Sequence, residues 1–143
     1  MTDIRKLWKV WAQANGLYTL WANMNDVNPY LLFVLYALDK QENMTQKKIC
    51  DCTSLTKQTV NSVIRTLKNE GYITLLPGCE DRREKQVVVT EKGIAYSEEI
   101  LTPLYELEQR VFNIMGNDRV QQMTDAITLF NLVFQKEMES QPK

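Results

Sequence analysis

The sequence predicts a mostly α-helical fold with a small β-hairpin, arranged as a winged helix-turn-helix. The prediction rests on residues 45–93, where two short helical patterns are separated by a tight turn. A glycine suited to end the second helix follows, and then two segments rich in β-branched residues enclose a charged loop. This order of elements recurs in proteins that bind DNA, and it is more informative than any one of its parts.

Two threonines mark the starts of the two helices. Thr45 is a suitable N-cap for a short helix in which Ile49 faces inward. Thr56 is a second N-cap and opens a longer helix that runs to Glu70. Apolar residues of the longer helix recur at i, i+3, i+4 and i+7, which predicts one buried stripe. That stripe consists of Val60, Val63, Ile64 and Leu67.

The opposite face of the longer helix carries amide, hydroxyl and cationic groups in its first turns. Such groups recognise base edges in the major groove, although a solvated surface is the simpler interpretation of any polar face. We predict that the segment from Thr56 to Arg65 enters the major groove. The predicted base contacts are Gln58, Thr59, Asn61 and Ser62, and the predicted phosphate contacts from this helix are Lys57 and Arg65.

The hairpin that follows forms the predicted wing. Gly71 ends the helix, strands are expected over 72–76 and 86–90, and the loop between them is rich in charge. We expect the Asp81 carboxylate to bind an arginine side chain, either within the wing or on the longer helix. The residues expected to contact phosphate or to enter the minor groove are Arg82, Arg83 and Lys85.

At the level of motifs, residues 45–93 resemble the MarR family of transcriptional regulators. The resemblance is carried by Val60 with Asn61, Leu67, Gly71, Asp81 with Arg83, and the segment Thr90-Glu91-Lys92-Gly93. It implies a homodimer that binds palindromic double-stranded DNA, more often as a repressor than as an activator. The wing departs from the family pattern. Leu76 stands where an arginine is often found, and Glu84 follows Arg83 where a small residue is common.

The regions on either side carry apolar seams that are typical of helix packing. Leu7, Trp11, Ala14, Tyr18 and Trp21 recur with spacings of four and three, as do Val120, Met123, Ile127, Phe130 and Phe134. Each seam is also compatible with ordinary core. Two such seams are difficult to bury in one small monomer, so we expect a MarR-like dimer whose first and last helices interlock between subunits.

Three further helices are expected around these seams. Asn28 and Pro29 open an apolar helix over 30–38 that should be buried nearly all round. A long helix should run from Glu91 to about Met115 and bend at Pro103. Asn117 or Asp118 should cap the last helix. We predict a single domain over residues 1–143, in which 28–93 form the winged-helix part and 1–25 and 94–139 form the helical dimerisation part.

The family resemblance also implies a small aromatic or anionic ligand that binds between the dimerisation part and the winged helix. Aromatic side chains that stack on a ligand often line such sites, although aromatic residues on amphipathic helices more often form ordinary core. The candidate pocket residues are Trp8, Trp11, Tyr18, Trp21 and Tyr36.

The charge of the chain is unevenly distributed. The formal net charge is −1, but residues 45–92 hold nine Lys or Arg against six Asp or Glu, whereas the remainder holds eight against twelve. The predicted DNA-binding part therefore carries +3 and the rest −4. This local excess favours a salt-dependent interaction with phosphates.

Composition argues against the other large classes of function. The chain has no histidine, three cysteines and five glycines that occur singly, which gives no metal motif, phosphate loop or nucleophile with an adjacent base. We expect no metal, no cofactor and no enzymatic activity. Since no apolar stretch has the length of a signal peptide or membrane span, we expect a cytoplasmic protein. The alternative to a DNA-binding regulator is a winged-helix module that binds another protein.

Overall fold

The structure is a computed structural model that describes residues 3–142, and six helices and three strands are found in this range. The mostly α-helical fold with a small antiparallel sheet is therefore confirmed. The helices are α1 (Ile4–Met24), α2 (Pro29–Leu38), α3 (Gln46–Thr53), α4 (Lys57–Asn69), α5 (Glu91–Met115) and α6 (Asn117–Glu139), and the strands are β1 (Met44–Thr45), β2 (Ile73–Pro77) and β3 (Lys85–Val89).

The sheet has the order β1-β3-β2, and both pairs of strands are antiparallel. β2 and β3 form the predicted hairpin, with Ile73 opposite Val89. β1 adds a third strand through the pair Met44 and Val87. This strand was not predicted, because a two-residue strand is too short to show alternation.

Each predicted strand of the hairpin was displaced by one residue at both ends. β2 begins at Ile73 because the Tyr72 amide donates to the Leu67 carbonyl at 2.9 Å and so belongs to the end of α4. β3 ends at Val89 because the Thr90 hydroxyl accepts from the Gly93 amide at 3.1 Å and so belongs to the start of α5.

The helix-turn-helix is held by the two predicted caps. The hydroxyl of Thr45 accepts from the Lys48 amide at 3.2 Å, and the hydroxyl of Thr56 accepts from the Thr59 amide at 3.2 Å. Between the helices, Ser54 has φ = 58°, the left-handed conformation that turns the chain from α3 into α4. The two N-caps are thus confirmed.

The core of the winged helix lies between α2, α3, α4 and the sheet. The predicted inward position of Ile49 is confirmed, as is the α4 stripe except at Val63, which is only half-buried. The fully or nearly fully buried apolar residues of these elements are Leu32, Val34, Leu35, Leu38, Ile49, Val60, Ile64, Leu67, Ile73 and Val87. Their burial fixes which face of α4 is left for solvent.

Helix α2 begins as predicted but is not buried all round. The Asn28 side chain accepts from the amides of Tyr30 and Leu31 at 2.9 and 3.2 Å, and Pro29 occupies the first helical position. The expectation of burial nearly all round holds except at Tyr30 and Tyr36, which are 51% and 40% exposed. Tyrosine side chains tolerate such partly exposed positions because the hydroxyl end of the ring can remain in water.

The chain forms two compact units, one ending at Thr102 and the other beginning at Pro103. This boundary falls within α5, which continues through Pro103. The cap predicted for α6 was wrong. Gly116, with φ = 89°, is the N-cap residue and Asn117 is already helical, so that Asp118 lies in the first turn. A carboxylate there interacts favourably with the positive end of the helix.

Helices α1 and α6 each expose apolar side chains. Of the predicted α1 seam, Leu7 and Ala14 are exposed, while Trp11, Tyr18 and Trp21 are half-buried. The exposed apolar residues of α1 include Val10, Leu17, Leu20 and Met24. No residue of α6 is buried, and its exposed apolar residues include Met123, Ile127, Leu129, Phe130, Leu132, Val133, Phe134 and Met138. Among the described residues, no helix is both long and apolar enough to cross a bilayer.

Two glycines should respond to alanine substitution in opposite ways. A Cβ on Gly93 would lie 1.9 Å from the Tyr72 carbonyl oxygen, so Gly93→Ala should destabilise the protein by about 3 kcal/mol or more. A Cβ on Gly16, inside α1, would meet nothing within 4 Å, so Gly16→Ala should stabilise it by up to about 1 kcal/mol. Urea unfolding at one protein concentration checks both. Equal stability of the two variants would contradict the predicted close approach at Gly93.

Candidate nucleic-acid interface

The solvent face of α4 presents polar side chains from its first three turns. Gln58, Asn61, Ser62 and Arg65 are all exposed, as predicted for residues that contact bases or phosphates. Thr59 is half-buried, and its hydroxyl accepts from the Thr56 hydroxyl at 2.8 Å. The Thr59 hydroxyl therefore takes part in the cap of α4.

The wing is ordered by the predicted aspartate. Asp81 Oδ1 accepts from the Arg83 amide at 2.9 Å and lies 3.5 Å from Arg83 Nε. Of the two roles expected for Asp81, the contact within the wing is the one observed. Arg82, Arg83 and Lys85 are all exposed, so their cationic groups are accessible to a ligand of opposite charge.

A groove of about 540 Å³ joins the wing to the start of both helices of the helix-turn-helix. Four cations and one carboxylate, that of Glu84, line it. The lining residues are Thr45, Gln46, Lys47, Cys50, Lys57, Arg83, Glu84 and Lys85. The groove has the charge and position of a surface that accepts a phosphate backbone beside α4.

The groove brings together predicted and unpredicted residues. Lys57, Arg83 and Lys85 were predicted as DNA contacts, whereas Gln46 and Lys47 were not. The signal for the second pair was the polar start of α3, but sequence alone does not reveal that the wing folds back beside it.

A second cluster links the wing to the loop before β1. Asn43 Oδ1 accepts from Gln86 Nε2 at 3.2 Å, and the Cys79 thiol lies 3.5 Å from the same oxygen. Lys48 Nζ donates to the Asn43 carbonyl oxygen at 3.0 Å. Asn43 has φ = 58°, a conformation that asparagine adopts more readily than most residues. The sequence gave no indication of this cluster.

The cysteines occupy different environments. Cys52 and Cys79 are exposed, and Cys50 is half-buried and lines the groove. All three are free thiols. Within residues 3–142, no group of His, Cys, Asp or Glu side chains is arranged to hold a metal ion.

A pocket of about 720 Å³ lies within the first unit, between α1, α2 and the end of α3. Three of the five predicted pocket residues line it, namely Trp11, Tyr18 and Tyr36. Trp8 is 76% exposed, and neither it nor Trp21 belongs to the lining. The other lining residues are Asn15, Gly16, Thr19, Phe33, Ala37, Cys52, Thr53 and Ser54. No Lys, Arg, Asp or Glu is among the described residues that line this pocket.

Comparison with known sequences places the winged-helix part in one family. The sequence profile of the MarR family matches residues 30–84. The chain is 35% identical over 78 residues to the HTH-type transcriptional regulator YwoH of Bacillus subtilis, a match that covers 54% of this chain and 56% of YwoH. It is 28% identical over 96 residues to the regulator SarZ of Staphylococcus aureus, which covers 67% of this chain and 62% of SarZ. The chain therefore spans little more than half the length of these relatives.

Solved structures extend the similarity to nearly the whole chain. NMB1585, a MarR family regulator from Neisseria meningitidis, is 29% identical, with a TM-score of 0.84 over 97% of this chain and 98% of NMB1585. MepR of S. aureus in complex with DNA is 19% identical, with a TM-score of 0.68 over 93% and 96% of the two chains. CouR from Rhodococcus jostii bound to p-coumaroyl-CoA is 20% identical, with a TM-score of 0.69 over 87% and 89%. The last two similarities concern the fold alone.

The helix-turn-helix, the β-hairpin beside it and the cationic groove between them define the class of winged helix-turn-helix proteins. Residues 30–84 match the MarR family, and the chain as a whole is similar to NMB1585, a regulator of that family.

Proposed function

We propose that the protein is a sequence-specific transcriptional regulator that binds double-stranded DNA as a homodimer, more as a repressor than as an activator. The observation that carries this proposal is the cationic groove that joins the wing to α3 and to Lys57 at the start of α4. A DNA backbone in this groove would direct α4 into the adjacent major groove, where amide and hydroxyl groups recognise base edges.

The contacts divide by chemistry into two groups. Base contacts are assigned to Gln58, Thr59, Asn61 and Ser62, of which Thr59 offers its methyl group because its hydroxyl is used in the cap. Phosphate or minor-groove contacts are assigned to Lys57, Arg65, Arg82, Arg83 and Lys85, to which the groove adds Gln46 and Lys47. The carboxylate of Glu84 opposes phosphate binding in the same groove.

The homodimer is supported by the exposed apolar faces of α1 and α6. Each of these helices exposes several large apolar side chains, and helices of this kind are stabilised by packing against a partner. A second copy of the chain is the occupant that the MarR family implies. A two-fold axis would place two α4 helices about 34 Å apart, so the target would be palindromic.

The uncharged pocket beside α3 is the proposed site of a small regulatory ligand. The aromatic rings of Trp11, Tyr18 and Phe33 suit a planar ligand. The last residues of α3 also line the pocket, and the end of a helix leaves carbonyl groups without intrahelical partners. Because the end of a helix carries partial negative charge and the lining has no cation among the described residues, an uncharged aromatic ligand is favoured over an anion. A ligand that preferred the conformation unable to bind DNA would relieve repression.

The proposal is tested by selecting bound duplexes from a random pool at two salt concentrations. Enrichment of a palindrome with half-sites one helical turn apart is the expected result. If no sequence is enriched even at low salt, the DNA-binding function is wrong and the protein-binding alternative takes its place.

Two alanine variants should separate recognition from phosphate contact. Asn61→Ala should lose about tenfold in affinity through one base position while leaving binding to random DNA unchanged. Arg83→Ala should weaken binding to all sequences alike and lower the salt slope by about one. Fluorescence anisotropy with the selected and a random duplex measures both. The assignment of Asn61 to a base would not survive an equal loss on the two duplexes.

A charge on the apolar face of α6 should break the dimer. Phe134 lies against Phe130, with ring centroids 5.6 Å apart, and is 54% exposed. Phe134→Glu should shift the protein to the monomer, because the new charge would have to be buried in the interface. Gln135→Glu places the same charge at the next position on the polar side and is the control. Light scattering after size exclusion measures the mass. A dimeric Phe134→Glu variant would exclude this face as the interface.

Matched neutral and anionic probes should distinguish the two classes of ligand. Indole, which is planar and carries one N–H donor, should reduce DNA binding, whereas benzoate of similar size should have at most a weaker effect, because the pocket offers no cation among its described lining residues. Thr19→Leu, which adds apolar bulk to the lining, should weaken the effect of indole, whereas Gln13→Leu on the same helix should not. A stronger effect of benzoate would reverse the preference.

A further inference from the structure

The segment from Thr90 to Gly93 links the end of the recognition helix to the start of α5. The hydroxyl of Thr90 donates to the Gly71 carbonyl oxygen at 2.8 Å and accepts from the Gly93 amide at 3.1 Å. Gly71, with φ = 80°, is the residue that terminates α4. One hydroxyl thus joins the turn after α4 to the first turn of α5.

Lys92 reaches the same turn from α5. Its Nζ donates to the carbonyl oxygen of Glu70, the C-cap residue of α4, at 2.7 Å, and lies 5.0 Å from the centroid of the Tyr72 ring. The last carbonyl groups of a helix have no partner within the helix and carry its partial negative charge. A cation supplied by a different helix satisfies one of them here.

Aromatic stacking and a close backbone contact complete this connection. The rings of Tyr72 and Tyr96 are stacked with centroids 4.0 Å apart and an interplanar angle of 4°. Burial, followed by the proximity of Tyr72, raises the pKa of Tyr96 above its ordinary value. Gly93 is buried so close to the Tyr72 carbonyl that no side chain fits there. The turn after α4 is therefore held against α5 on several sides.

We propose that Lys92 is a positioning residue for DNA recognition, which holds the C-terminal end of α4 against α5 and so fixes the direction in which α4 presents its base contacts. This inference rests on the proposed function. Asn61 lies about 14 Å along the helix from Glu70, so a tilt of about 5° at that end would move it by roughly 1 Å. Hydrogen bonds to base edges do not tolerate such a displacement, since their donor and acceptor atoms must approach within 2.7–3.2 Å.

The test compares Lys92→Met with Lys92→Arg on the selected palindrome and on random DNA across a salt titration. Lys92→Met keeps the aliphatic stem but removes the cation, and we expect roughly a three- to tenfold loss on the palindrome only, because the lost interaction is that of a charge at a helix end. Lys92→Arg should restore binding. The salt slope should stay as in the wild type, since no phosphate contact is lost.

Amide hydrogen exchange of the free protein tests the connection without DNA. Lys92→Met should speed exchange at Gly71 and Tyr72, whose amides donate to carbonyl groups of α4, and Lys92→Arg should not. For the DNA-binding measurements, Lys68→Met is the control, because it removes a cation from the last turn of α4 itself. If Lys68→Met weakened binding to the palindrome, relative to random DNA, as much as Lys92→Met does, the effect would be one of net charge and the inference would be overturned.

Three other results would also overturn it. If Lys92→Met bound the palindrome as tightly as the wild-type protein does, the contact would not position α4, even if amide exchange changed. A uniform loss on both duplexes with a shallower salt slope would instead make Lys92 a direct phosphate contact. If the wild-type protein selects no sequence, the proposed function fails and this inference fails with it. If the wild-type protein selects a palindrome and Lys92→Met binds it with unchanged affinity, the inference alone fails.

Discussion

The burial of one face of α4 is the constraint on which the candidate interface depends. Val60, Ile64 and Leu67 are at most 2% exposed, and burying such a side chain contributes about 2 kcal/mol. Rotating α4 enough to bring Asn61 inward would expose this stripe and cost a large part of a typical domain's stability. The polar face is therefore presented to solvent by the core itself. The N-cap at Thr56 and the turn at Gly71 then limit the helix to the length over which the stripe is continuous.

Electrostatics at this surface is local and exposed. Four cations surround the groove although the whole chain is slightly acidic, and each of them can be reached by solvent and salt. Charges in such an environment attract phosphate without paying a large desolvation cost, and their attraction is screened over about 8 Å at physiological ionic strength. Under the proposed function, affinity would come from the number of phosphate contacts rather than from any one of them. Geometry comes instead from short polar links such as the one between Asp81 and Arg83.

The features that could be predicted from the sequence are those that depend on neighbouring residues. Thr45, Thr56 and Gly71 mark helix ends through interactions within a few positions of themselves, and the apolar stripe of α4 repeats with the helical period. The strand β1 could not be found because two residues show no period. At α6, Gly116 and Asn117 are adjacent, and only the positive φ of Gly116 identifies it as the residue that precedes the helix.

Only part of the candidate interface was predicted, because some of its residues come together only through contacts between distant parts of the sequence. Residues on α4 and the wing were chosen correctly as exposed polar groups, because a buried stripe implies an exposed opposite face. Gln46 and Lys47 were missed because they border the groove only after the wing has folded beside α3, which is a contact between distant parts of the sequence. Trp8 was included in the candidate pocket because aromatic type alone does not say which side of α1 faces α2.

The exposed apolar surface of α6 connects stability with recognition. None of the 23 residues of α6 is buried, so this helix gains little from packing within the chain, and isolated helices are marginal in water even when their sequences favour helix. If a second copy covers this face, folding of the helix and association of the subunits are one equilibrium, which depends on protein concentration. The same association would bring two α4 helices onto one DNA duplex, so that each half-site raises the effective concentration of the protein at the other. Weak, solvent-exposed contacts in each winged helix are then sufficient for a tight and specific complex, because the dimer adds their free energies without adding a second loss of translational freedom.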